Sequence, residues 1–394
     1  MTTSLQDSRL AAADPPTVSE GWTVQRITPP SRLFGANGLR TGPDGRIYIA
    51  QVSGSQISAL DITSGRIEAI SPKGSDIVAP DDLAFDDAGN IYATEVLNGR
   101  VAVLDTTGHS RVLRGDMPVA NGITMYRGRL FIGECRPGGR ILELDLAGGE
   151  PRVLLEDVPM ANAMDVGPDG LLYFPVMGAN EIWRIDPDAG GAPEIVATDL
   201  GVPDSVKFDS DGYIVSTQAH SGQVLRIDPR TGAKTVLADL YPGLDNLTFA
   251  DGRLFVSNFS GEITEILAPG KTRSVLPGGF NWPLDLTVGS DGRVYIADGP
   301  YLHVALGDGT VHPVGMLFTP GFPGYTRGLT ASGDGEFTVT TSSGQVARFW
   351  PDRGESEFIA EGFDQLYGVA IAAGGDVLFV EQGTGRVLSA RAGQ

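Results

Sequence analysis

The stretch PDSVKFDSDGYIVSTQAHSGQVLRIDP, residues 203–229, decides the fold. It is three alternating apolar and polar runs separated by Asp-Gly and Ser-Gly. Strict alternation is the signature of a strand with one buried face, and Asp-Gly supplies the positive φ that a two-residue hairpin turn needs. The segment therefore reads as strand A, turn, strand B, turn, strand C. Similar openings recur about every 40 residues: ANGLRTGPDGRIYIAQ from 36, PDDLAFDDAGNIYATE from 80, ANGITMYRGRLFIGE from 120 and ANAMDVGPDGLLYFPV from 161. They continue after residue 203 with LDNLTFADGRLFVSN from 244, PLDLTVGSDGRVYIAD from 283, TRGLTASGDGEFTVTT from 326 and LYGVAIAAGGDVLFVE from 366.

A fourth run follows most copies, as in SRVLRGD, PRVLLED and KTVLADL. Four antiparallel strands per repeat make a β-propeller blade. The fold class is all-β, a single propeller of four-stranded blades over residues 22–394. Nine copies predict nine blades. The last copy has no fourth run after it, while Trp22 to Thr28 (WTVQRIT) is an orphan fourth run before the first copy. The expected closure joins that N-terminal strand to the last blade, hiding the sheet edges. Residues 1–21 carry neither a basic start nor an apolar run of signal-peptide length and read as a disordered arm, so the expected compartment is cytoplasmic.

The chain has 394 residues, with Gly 54 and Pro 26, suited to short strands and tight turns. A net charge of -20 repels nucleic-acid backbones and anionic membranes, so the expected partner is a small molecule, with no nucleic acid and no membrane. The one cysteine, Cys135, excludes an internal disulfide framework. It sits beside Glu134, which disfavours a thiolate unless Arg136 offsets the charge.

Antiparallel pairing puts the starts of the A strands, the ends of the B strands and the B–C and D–A connectors at one mouth of the channel. The A strands start at Asn37, Asp81, Asn121, Asn162, Asp204, Asp245, Leu284, Arg327 and Tyr367. The B strands end at Gln51, Glu95, Glu134, Val176, Gln218, Asn258, Asp298, Thr341 and Glu381. Asn and Asp before a strand commonly cap turns, which is the structural alternative for the whole set. Capping does not require carboxylates at the strand ends, where facing acids need a shared cation or proton. His220 falls in the fifth B–C connector and His303 in the seventh, at the same mouth; an imidazole there suits a general base. The last three D–A connectors bring Trp282, Tyr325 and Tyr367 to that face, with Arg327 among them. DSDG at 209 is similar to a calcium loop, but His220 stands where that loop needs Glu, so it is a hairpin turn.

The segments ANAMDVGPDGLLYF and PDSVKFDSDGYIVS resemble the SMP-30/gluconolactonase/LRE-like family, with weaker likeness to NHL-repeat, virginiamycin B lyase and strictosidine synthase-like propellers. The resemblance implies a divalent metal held by Asn162 and Asp204, with Asn121 touching metal or substrate. The family's Glu-Gly-Pro segment is missing, leaving Asp81 or Glu134 as its substitute. Family lactonases have six blades. With neighbouring sheets about 10 Å apart, six blades give a ring roughly 19 Å across and nine give roughly 29 Å. In the wider ring a metal must lie off-axis, between Asp81, Asn121, Asn162 and Asp204. Oxygen donors favour Ca²⁺ or Mg²⁺, and no organic cofactor is expected. The implied activity is metal-assisted hydrolysis of a lactone-type ester, with His220 or Glu134 moving the proton. Arg327, Tyr367, Tyr325, Trp282, Glu95 and Gln218 would then hold the substrate. The alternatives are a lyase or cyclase on the same scaffold, or a propeller that binds without chemistry.

Overall fold

The computed structural model describes residues 17–25, 27–28 and 31–392, and these divide into two compact units. One runs from Arg32 to Gly278; the other combines Gly279 onward with the described residues up to Ser31. Every sheet is a meander in chain order with antiparallel neighbours, A-B-C-D in the first eight and A-B-C in the last. The turns follow the sequence reading: Gly45, Gly89, Gly128, Gly170 and Gly212 all take positive φ at the A–B hairpins. No described helix is long and apolar enough to cross a membrane.

The larger unit holds six four-stranded sheets, over 39–71, 80–114, 120–158, 165–197, 203–239 and 244–276. Their A strands line a channel and step from sheet to sheet through contacts at the strand starts. Gly38 N donates to Asp81 O at 2.7 Å, Thr94 Oγ1 to Asn121 O at 2.5 Å, and Ala163 N to Asp204 O at 3.1 Å. Thr217 Oγ1 donates to Asp245 O. The sequence of steps then returns to its start: Ser257 Oγ, in the sixth sheet, donates to Asn37 O at 2.6 Å, before the first. The Thr41 and Thr248 hydroxyls stand 2.9 Å apart across the same junction.

Six apolar clusters fill the six gaps between sheets, including the closing one. There Leu39, Ile47, Ile49 and Leu60 of the first sheet pack on Phe255, Ile263 and Leu276 of the sixth. Each such side chain contributes about 1.5–3 kcal/mol when fully buried, so closure is as well supported as any other junction. This corrects the nine-blade ring. In a ring of nine, three sheets would separate the sixth from the first; here the two touch.

The smaller unit is a row of three sheets, over 285–316, 326–361 and 366–390. The last has three strands, and residues 22–25 and 27–28 form no strand, so the expected N-terminal closure is also corrected. Ile27 instead lies by Gly309, at the C–D turn of the seventh sheet.

Gly122 explains how tightly the A strands are stepped. A Cβ there would fall inside contact distance of the Asn162 carbonyl, which is backbone and cannot swing away. Gly122→Ala is therefore expected to cost about 1–3 kcal/mol or more, lowering the unfolding midpoint by several degrees in a calorimetric scan. Gly307→Ala, where nothing lies within 4 Å of the added carbon, is the control expected to change little.

Candidate functional site

Closure at six sheets converts six A-strand starts into one cluster. Asn37, Asp81, Asn121, Asn162, Asp204 and Asp245 are all buried, from 0% to 8% exposed. Asn37 Nδ2 donates to Asp245 Oδ2 at 2.9 Å, and its Oδ1 accepts Val52 N at 3.1 Å, so its amide positions Asp245. Asn121 hydrogen-bonds Asp81. Asn162 Oδ1 accepts Ala163 N at 2.7 Å.

The three carboxyl groups share one electrostatic problem. Burial pushes Asp81 up to about 7, and the neighbouring Asp82 charge adds to the shift, while Asn121 offsets part of it. Burial raises Asp204 well above the usual range, and the Asp81 charge, opposite it in the ring, raises it further. Asp245 is raised by burial first, then by Asp204 and Asp81. Both Asp204 oxygens are buried without a hydrogen-bond donor when the group is ionised; a proton held by Asp245 would supply one. A carboxylate in that position needs a proton or a cation.

Deeper in the channel lies a second layer. Arg40 donates to Leu83 O and Ile123 O, both at 2.8 Å, and its guanidinium stands 4.0 Å from Asp82. Asn246 Nδ2 reaches Asp82 Oδ1 at 3.1 Å from the sixth sheet. Lys207 Nζ donates to Met164 O at 3.2 Å, and burial, helped by Arg40, lowers its pKa to about 8. These side chains bridge the channel beneath the acids.

The strand-B ends have a different task from the one expected. Glu134 is bound by Arg136 Nη2 at 2.9 Å and by Arg140 through two nitrogens. Both Glu134 oxygens are already taken by guanidinium donors, so neither is free to take a proton from water, and the proton-transfer expectation for Glu134 is not retained. Glu95 pairs with Arg100 at 2.6 Å. Gln218 Oε1 accepts Gly201 N at 2.9 Å, as Gln51 Oε1 accepts Phe34 N at 2.8 Å, tying the D–A connector to strand B. In the smaller unit, Asp298 and Glu381 accept the amides of Asn281 and Asp364 in the same manner. Carboxylates at these positions clamp their own sheet and do not face one another.

His220 is half-buried in the fifth B–C connector, where its backbone N–H is held by Gly201 O at 3.0 Å. His303 lies inside a strand, Tyr301–Ala305, stacked on Tyr301 and 3.3 Å from Asp298, which corrects its expected loop position. Arg327, Tyr325, Tyr367 and Trp282 belong to the three-sheet unit, where Arg327 stands 4.8 Å over the Tyr367 ring. The acid cluster is built without them. Cys135 touches Met177 Sδ at 3.8 Å, and burial together with Asp204, Asp81 and Asp245 raises its thiol, so it is no nucleophile.

The fold and the six-residue cluster now stand beside known proteins. Residues 17–252 match the SMP-30/Gluconolactonase/LRE-like region. The chain belongs to the SMP-30/gluconolactonase/LRE-like family. Among solved structures similar to this member is a streptogramin B lyase, at 20% identity and TM-score 0.51, covering 69% of this chain and 93% of that one. Another is regucalcin from Agrobacterium tumefaciens str. C58, a calcium-binding protein, at 20% identity and TM-score 0.50, covering 61% and 92%. At these identities the likeness is one of fold. A search of curated proteins gave no significant match.

The raised carboxyl groups fix the sign of a pH effect in this family member. The unfolded chain releases these protons near pH 4, whereas the folded protein keeps that of Asp81 to about pH 7 and holds those of Asp204 and Asp245 well above the usual range, so folding loses stability as pH rises above 4. In chelator-treated protein the unfolding midpoint is expected to fall between pH 5 and pH 8. Asp204→Asn, which carries no charge, should flatten that slope; an unchanged slope would show the charge to be relieved elsewhere.

Proposed function

We propose that the chain is a small-molecule enzyme whose axial carboxylates hold a divalent cation, Ca²⁺ or Mg²⁺, and which hydrolyses a lactone-type ester. The observation that carries this reading is Asp204: two buried carboxylate oxygens with no donor, beside Asp81 and Asp245, which are raised for the same reason. The donor set is all oxygen and hard, which suits those two ions. No three Asp, Glu, His or Cys side chains among the described residues form a ready-made cage. The site therefore draws on Asp81, Asp204 and Asp245 with the Asn121 and Asn162 carboxamides as neutral partners.

When bound, the cation would polarise the ester carbonyl. The protein's own groups do the rest. Asn37 fixes Asp245, and Asn121 fixes Asp81, so that neither carboxylate turns away from the axis. The Arg40, Asp82 and Lys207 layer closes the channel below and confines substrate to the mouth. His220, on a connector at that mouth, moves the proton between water and the leaving alkoxide.

Calorimetric titration of chelator-treated protein with Ca²⁺ and with Mg²⁺ should show one site for at least one of them. Its affinity should rise with pH as protons leave the carboxyl groups. Asp204→Ala should abolish binding and turnover of γ- and δ-lactones. His220→Ala should retain metal and lose about 10²-fold or more in kcat. Full lactonase activity in Asp204→Ala would contradict the reading.

A further inference from the structure

Three sheets are half of the ring that this chain builds from six. We infer that the three-sheet unit completes its ring with the same unit of a second copy of the chain.

One apolar position repeats around the ring. In the six-sheet ring the third residue of each A-strand start packs against the preceding sheet: Leu39, Leu83, Ile123, Met164, Val206 and Leu247 are each 0% exposed. The seventh sheet has Leu286 there, 62% exposed, followed on the same face by Val288 at 58%. Asp285 and Thr287, between them, face the other way and accept the Leu329 and Ala331 amides of the eighth sheet. The backward-facing edge of the row is thus apolar and bare.

The forward face at the far end is bare too. In the second sheet, Tyr92 and Val101 point toward the third sheet and are 4% and 0% exposed. The same places in the ninth sheet are taken by Leu378 and Val387, 37% and 75% exposed, with Val380 beside Val387 on the neighbouring strand at 40%. A row of sheets has one backward and one forward face, and they are the two halves of a single kind of junction.

The row is stepped as the ring is. Thr340 Oγ1 donates to Tyr367 O, the same link from strand B to the next A strand that Thr94 and Thr217 make. Gly328 meets the Tyr367 carbonyl as Gly122 meets that of Asn162. Three steps of a six-fold rotation make half a turn, so a second row brings its forward face to the first row's backward face, and the converse junction closes simultaneously. Head-to-tail contacts form a closed ring only when the rotation allows it, and here two copies suffice. Apolar strips of this kind on a chain with a net charge of -20 mark an intended contact, because the charge otherwise opposes association.

The test is sedimentation of the full chain at micromolar concentration, in moderate and in high salt, with Leu286→Asp and Val380→Glu as variants. The expected result is a dimer that each variant weakens at least tenfold while circular dichroism stays unchanged. A second experiment mixes Leu286→Cys with Val380→Cys chains under mild oxidation; a mixed covalent dimer should form, and neither chain alone should form one. A monomeric wild-type chain, a dimer indifferent to both variants, or protection of these faces by residues 1–16 of the same chain would each overturn the inference.

Discussion

The structure depends on the close stepping of each A strand on the next, which at three of the larger unit's six junctions is made by a hydrogen bond from a hydroxyl on strand B to the carbonyl at the start of the next strand A. Thr94, Thr217 and Ser257 make it in the larger unit and Thr340 in the smaller. Together with the apolar packing between neighbouring sheets, that stepping sets how far each sheet is rotated from the last. When Ser257 finds Asn37, the rotation has come full circle after six. Blade count is then a consequence of local geometry and not of how many repeats the chain contains.

Ring size in turn determines the chemistry. Around a wide ring the aspartates would stand apart in water and titrate normally. Around a narrow one, Asp81 and Asp204 face each other across the axis, and Asp245 joins them through its bond to Asn37. Desolvation and like charge act in the same direction, and neither is relieved by the layer beneath, whose Arg40 and Lys207 are directed at backbone carbonyls and Asp82. The channel mouth therefore holds carboxyl groups whose ionised form burial and like charge disfavour.

The repeat, the hairpin turns and the sheet order were legible in the sequence because alternation and Asp-Gly turns act over a few residues. So were the six axial positions, each an Asn or Asp at the start of an A strand. Ring closure was not legible, since it rests on pairs such as Thr41 and Thr248, 207 residues apart, whose complementarity no local pattern reports. One signal did point to it. The first six A strands start with Asn or Asp, whereas the last three start with Leu284, Arg327 and Tyr367. That change marks the boundary between the two units, and it also explains why Asp245 belongs with the other acids. Glu134 and Glu95 misled for a related reason: their partners Arg140 and Arg100 lie on strand C of the same sheet, so each is paired within its own sheet.

Closure at six is the claim on which the site rests, and a cross-link tests it most directly. Thr41 and Thr248 should be replaced together by cysteine, at the point where their hydroxyls stand 2.9 Å apart. On mild oxidation the account predicts an intramolecular disulfide formed in high yield by folded protein, with a raised unfolding midpoint. Two thiols that stay free in the folded chain would place the first and sixth sheets apart and contradict it.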